Sequence, residues 1–78
     1  MTPEQVLGWY IRELRLSHGW TLDDLSKKSG VARSSLGLIE TGGRSFSIRS
    51  LCKVANAFNL SAGTILKESG YQKLVSNY

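Results

Sequence analysis

The placement of glycine constrains this chain more than any other feature. Gly19, Gly30, Gly42, Gly43, Gly63 and Gly70 stand as joints and divide the 78 residues into short stretches. Within each stretch the apolar residues recur at intervals of three and four rather than two, which is the period of a helix and not of a strand. A chain of this length holds one domain. Hydrophobic residues make up 41% of it, so the core is small. Cys52 is the only cysteine, which excludes a disulfide framework and a cysteine-based zinc site. Stability must then come from tight packing of short helices, with oligomerisation as a further source.

The pattern predicts an all-α fold, a compact five-helix bundle with room for a short C-terminal helix. The first helix runs from about Pro3 to His18. Thr2 and Gln5 form a capping box around its start, and Val6, Leu7, Tyr10, Ile11 and Leu14 form its apolar stripe. Trp9 on this helix is expected to be partly buried. The second helix spans about Leu22 to Ser29, capped by Thr21, with Asp23 and Asp24 at its positive end and Lys27 and Lys28 at its negative end. The third spans about Arg33 to Thr41, with Leu36 and Ile39 inward. The fourth runs from about Ile48 to Phe58 behind a Ser47 cap, and the fifth begins after Ser61 and ends near Ser69. In the tail, Tyr71, Leu74, Val75 and Tyr78 fall on one face of a short helix.

Net charge is +4, and six of the ten Lys and Arg residues (Lys27, Lys28, Arg33, Arg44, Arg49 and Lys53) crowd one region with only Glu40 among them. Such a basic excess points to an anionic partner. No apolar run is long enough for a membrane helix, and the N-terminal stretch has no signal-peptide core, so a cytoplasmic location is expected. One histidine and one cysteine, far apart, make no catalytic set. No enzymatic activity, cofactor, metal or small-molecule ligand is expected.

The stretch TLDDLSKKSGVARSSLGLIETGG carries the logic of a helix-turn-helix position by position. Leu25 faces inward. Ser26 is small where the second helix crosses. Gly30 opens the turn in a conformation that strains a side chain. Val31 plugs the turn, and Leu36 with Ile39 holds the second helix of the motif to the first. On these residues, with IRELR before the motif, IETGG after it and SIRSLCKVANAFNLSAGTIL beyond, the chain resembles the XRE/Cro-type regulators, which include phage repressors and restriction–modification controller proteins. The resemblance covers about Leu7 to Leu66. It implies a lambda-repressor-like five-helix domain that binds inverted-repeat operators in double-stranded DNA as a homodimer. It also implies an ion pair between Arg15 and Glu40, which would tie the recognition helix to the first helix.

A recognition helix offers its N-terminal and outward residues to base edges in the major groove. Here those are Arg33, Ser34, Ser35, Gly37, Leu38 and Thr41. Arg33 is the expected base reader, since a guanidinium can reach guanine O6 and N7 together. Gly37 lets the helix sit close to the groove, and Leu38 suits either a thymine methyl or an apolar spot at the dimer or the fourth helix. Arg44, Ser45, Ser47 and Arg49 fall where the family's loop meets the sugar–phosphate backbone, and Thr21 and Lys28 are added as further DNA contacts. Two departures stand out. Leu22 replaces the family's phosphate-binding glutamine, and Ala32 leaves the recognition helix without a capping oxygen, at a cost of about 1 kcal/mol.

For the homodimer the candidates are Leu60, Ile65, Leu66, Tyr71, Leu74, Val75 and Tyr78. The expected division is a DNA-binding domain over residues 1–69 and a candidate dimerisation tail over 70–78. The alternative function is an antitoxin, or another protein-interaction module, with DNA binding as a secondary activity.

Overall fold

The computed structural model describes residues 1–76. They form six helices: α1 (Pro3–Ser17), α2 (Leu22–Ser29), α3 (Arg33–Glu40), α4 (Ile48–Ala57), α5 (Ala62–Glu68) and α6 (Tyr71–Ser76). The expected five-helix count is therefore corrected to six among the described residues. The tail is a helix in its own right, packed on α1 and α5.

Helices α1, α2, α4 and α5 begin where the sequence supplies an oxygen for their orphan N–H groups. Thr2 and Gln5 exchange backbone and side-chain bonds of 2.8 and 3.1 Å at the start of α1. Ser47 and Ser61 accept from the backbone N–H groups of Ser50 and Thr64 at the starts of α4 and α5. Termination uses left-handed residues. Gly19 and Gly30 adopt φ of 71° and 77°, as expected of glycine joints. After α4 the same role falls to Asn59 (φ 58°), and the Leu60 N–H closes the end on the Ala55 carbonyl at 2.9 Å. Asparagine is the residue that best tolerates this conformation after glycine.

Ile11, Leu25, Leu36, Val54 and Ile65 are the five largest side chains with no exposed surface, and each of α1 to α5 contributes one of them. Burying a side chain of this size stabilises by about 1.5–3 kcal/mol. Leu7, Val31, Leu51, Ala55 and Phe58 extend the cluster, while α6 adds only the half-buried Tyr71. α1 packs on α3 and α6, α2 on α3 and α4, and α4 on α5.

Trp9 departs from the sequence expectation. It is 51% exposed, because the buried stripe of α1 runs through Leu7, Gly8, Ile11 and Arg15 and Trp9 lies on the opposite side of the helix. Gly8 is the unanticipated member of that stripe. A Cβ there would overlap the carbonyl oxygen of Ile39, so glycine is what allows α1 and α3 to cross backbone to backbone. Trp20 is half-buried, stacked on Phe58 with ring centroids 5.1 Å apart, and His18 stacks on it in turn at 4.6 Å.

Candidate nucleic-acid interface

The turn between α2 and α3 is built almost wholly from short polar contacts. Ser26 Oγ donates to the Val31 carbonyl at 2.7 Å, and the Val31 N–H donates to Ser29 Oγ at 3.2 Å. The Gly30 N–H reaches the Ser26 carbonyl at 2.8 Å, and Val31 fills the angle with 7% exposure. The N–H and carbonyl of the buried Val31 are thus both satisfied by serine hydroxyls, which fixes the angle between α2 and α3.

The far end of α3 is held by charge. Arg15 Nε donates to Glu40 Oε2 at 2.8 Å and its Nη2 donates to Glu40 Oε1 at 2.9 Å. Its Nη1 donates to the Trp20 carbonyl at 2.7 Å. The two side chains are only 9% and 4% exposed. The hydrogen bonds to Glu40 push the Arg15 guanidinium above its ordinary pKa despite burial, so the guanidinium keeps its charge.

Between these anchors, α3 turns Leu36, Ile39 and Glu40 inward. Its outward side carries Arg33, Ser34 and Leu38, all exposed, with Ser35 and Gly37 half-buried. Ala32 makes no side-chain cap, in line with its lack of an oxygen. Arg33 Nε lies 3.0 Å from Asp23 Oδ1, in an ion pair whose side chains are 64% and 67% exposed. Arg44 arrives from the α3–α4 loop and donates from Nη1 to Ser35 Oγ at 2.9 Å. The structure thus gathers Arg33, Ser35 and Arg44 on the first turns of α3, with Asp23 beside them.

Other candidates sit differently. Gly37 faces Leu22, whose Cδ1 would be 3.9 Å from an added Cβ, so the protein itself would admit an alanine there. Thr41 spends its hydroxyl proton on the carbonyls of Leu38 and Gly37, at 3.0 and 3.2 Å. Thr21 Oγ1 accepts from the Asp24 N–H, while Asp24 accepts from the Thr21 N–H; that second bond holds the Asp24 carboxyl below its ordinary range. Lys28 does not join the α3 face: its ammonium lies 4.8 Å from the centroid of Trp20, in the cluster with His18 and Phe58. Ser45, Ser47 and Arg49 are exposed around the start of α4, and Ser47 is occupied as its cap.

Of the candidate dimer residues, Ile65 has no exposed surface and belongs to the core of its own chain, which removes it from any partner-facing set. Leu60 is half-buried. Leu66 and Tyr71 line an apolar cleft of about 170 Å³ with Leu7, Ile39, Phe46 and Leu51. Tyr71 also donates its hydroxyl to Glu4 Oε2 at 3.3 Å, and burial with the nearby carboxylate raises its pKa. Leu74 and Val75 are 38% and 42% exposed, and Tyr78 lies outside the described residues.

A helix-turn-helix family model matches residues 11–65, which takes in the whole of this arrangement from the middle of α1 into α5. The chain belongs to this helix-turn-helix family. Its members are DNA-binding transcription regulators of the XRE type, and the resemblance read from the sequence leads to the same place. The chain is 32% identical over 60 residues to the HTH-type transcriptional regulator SutR of Escherichia coli, covering 77% of this chain but 34% of SutR. It is 41% identical over 49 residues to an uncharacterised HTH-type transcriptional regulator of Archaeoglobus fulgidus, covering 63% of this chain and 70% of the relative. It thus spans about a third of the length of SutR. Among solved structures of the family, it superposes on the restriction-modification controller protein C.AhdI from Aeromonas hydrophila with a TM-score of 0.74 at 31% identity, covering 78% of this chain and 92% of that one. With the clp gene regulator ClgR from Corynebacterium glutamicum the TM-score is 0.80 at 28% identity, covering 90% of both chains.

Proposed function

We propose that this chain is a sequence-specific regulator that binds inverted-repeat operators as a homodimer, with α3 in the major groove of each half-site. The observation that carries this reading is the pairing of a rigidly anchored α3 with an exposed outward face on which Arg33, Ser34, Ser35 and Arg44 converge. Arg33 reads a guanine, Ser34 and Ser35 meet a base edge or phosphate, and Leu38 meets a thymine methyl. Gly37 and Thr41 line the approach. Arg44, Ser45, Ser47, Arg49, Thr21 and Lys28 serve the backbone. Of these, Lys28 must leave its seat over Trp20 to do so, so it is the weakest member.

In this reading residues 1–69 bind DNA, and the second copy docks on residues 70–78 with Leu60 and Leu66 behind them. The exposed Leu74 and Val75 support the tail's part in it. Two motifs reading an inverted repeat are separated by about one turn of B-DNA, roughly 34–36 Å. Selection of bound duplexes from a random pool tests the whole proposal: it should return an inverted repeat with such half-site spacing, and recovery without any enriched sequence would sink it. Sedimentation of the full chain carrying Leu74→Asp and Val75→Asp tests the dimer. A shift from dimer to monomer is expected.

A further inference from the structure

Two acidic residues open α2, and the structure gives them different work. Asp24 is bound into the capping box with Thr21. Asp23 takes no part in that box; its carboxylate reaches across the turn to Arg33 on α3. An ion pair this exposed contributes little to stability, between nothing and about 1 kcal/mol. Its geometric consequence is larger. A guanidinium has two hydrogen-bonding edges, the Nε side and the end formed by the two Nη atoms. Asp23 Oδ1 sits 3.0 Å from Nε as a charge contact on the side edge, without a directed hydrogen bond, and the end stays open. The Nη pair is one of the two forks able to match guanine O6 and N7, and the one that faces away from Asp23. A phosphate, by contrast, is attracted by charge, and a carboxylate beside the arginine weakens that attraction.

We infer that Asp23 is a positioning residue for Arg33: it presents the guanidinium end-on to a base and discourages its use on phosphates, and so sets the ratio of specific to non-specific DNA binding. This inference rests on the reading of Arg33 as the base contact.

The test uses the full chain, the duplex recovered by selection and a base-scrambled duplex of the same length. Binding is followed by fluorescence anisotropy for the wild type, Asp23→Asn, Arg33→Ala and the double variant. Asp23→Asn should tighten binding to the scrambled duplex and lower the specific-to-scrambled ratio about two- to fivefold, as expected of an exposed charge pair. In the Arg33→Ala background the same substitution should leave the ratio unchanged. Thermal melts of the four proteins, followed by circular dichroism, should coincide, which separates positioning from folding. If the wild type discriminates, Arg33→Ala abolishes discrimination at one base pair and Asp23→Asn alters nothing, the inference about Asp23 fails while the role of Arg33 stands. A ratio lowered equally in both backgrounds also overturns it. A wild type that treats the two duplexes alike, or an Arg33→Ala variant that discriminates as well as wild type, overturns the Arg33 reading and this inference with it.

Discussion

Two arginine–carboxylate pairs reach α3, one from each side, and they differ in almost every respect but chemistry. On the inner side, Arg15 holds Glu40 through two parallel hydrogen bonds with side chains 9% and 4% exposed. On the outer side, Arg33 meets Asp23 through one nitrogen, with side chains 64% and 67% exposed. Water decides the difference. Screened by solvent, the outer pair can open at little cost and its arginine is available to a ligand. Removed from solvent, the inner pair is satisfied within the protein, by its own two bonds and the Trp20 carbonyl, and it fixes the helix that carries the outer one. The same pairing of arginine with a carboxylate thus supplies a clamp on one side and, in the proposed reading, a base reader on the other.

The comparison breaks most readily at the inner pair. Arg15→Ala leaves the Glu40 carboxylate buried without its partner and should cost about 3–5 kcal/mol in urea denaturation. Arg15→Lys should recover little of this, because an ammonium cannot form the two-pronged contact. An unchanged unfolding midpoint in the alanine variant would show that α3 is held by packing alone. A smaller loss, about 1–3 kcal/mol, is expected for Gly8→Ala, whose new methyl pushes against the Ile39 carbonyl beside the clamp. At the outer pair, Arg33→Ala should move stability by no more than about 0.5 kcal/mol. The same substitution should weaken binding to the selected duplex by about 1–3 kcal/mol and relax one base position. A uniform loss on all sequences would place Arg33 on a phosphate instead.

The smallest effects are those of pH. Asp24 has its carboxyl pKa lowered in the folded state, chiefly by the hydrogen bond from the Thr21 N–H. Its contribution is present above the ordinary aspartate value and is lost as pH falls through the lowered one. The acid limb of a pH–stability profile should flatten in Asp24→Asn. Tyr71 is the opposite case, raised by burial and then by Glu4. Its contribution is intact below the ordinary phenol range and disappears as pH rises through the raised value. Tyr71→Phe should show a weaker alkaline loss in the same titration.

Local chemistry was readable from the chain. Capping oxygens, glycine stops and the inward pair Leu36 and Ile39 act within a few residues of themselves, so the helix bounds differ from expectation by a residue or so. What escaped the sequence depends on elements distant along the chain. Gly8 reads as a defect in an amphipathic helix until the Ile39 carbonyl is placed against it. Asp23 has an adequate local explanation at a helix start, and nothing in its neighbours points ten residues ahead to Arg33. Trp9 was read by residue type where position on the helix decided. At the candidate interface, the residues of the α3 face were legible because helical period alone assigns a side. The seat of Lys28 over Trp20 is not legible in the sequence, because it depends on where the aromatic ring packs.

The core has a consequence for how the molecule comes apart. Every helix from α1 to α5 places one fully buried side chain at the common centre, and α6 places none. None of the first five can leave without opening the cavity that holds the other four. They form a single cooperative unit, and their most protected amides should exchange with solvent only through global unfolding. The last helix, held mainly through Tyr71, lies outside that unit. Its amides should exchange faster than those of the first five helices, in a separate event that leaves the frame around Arg33 closed.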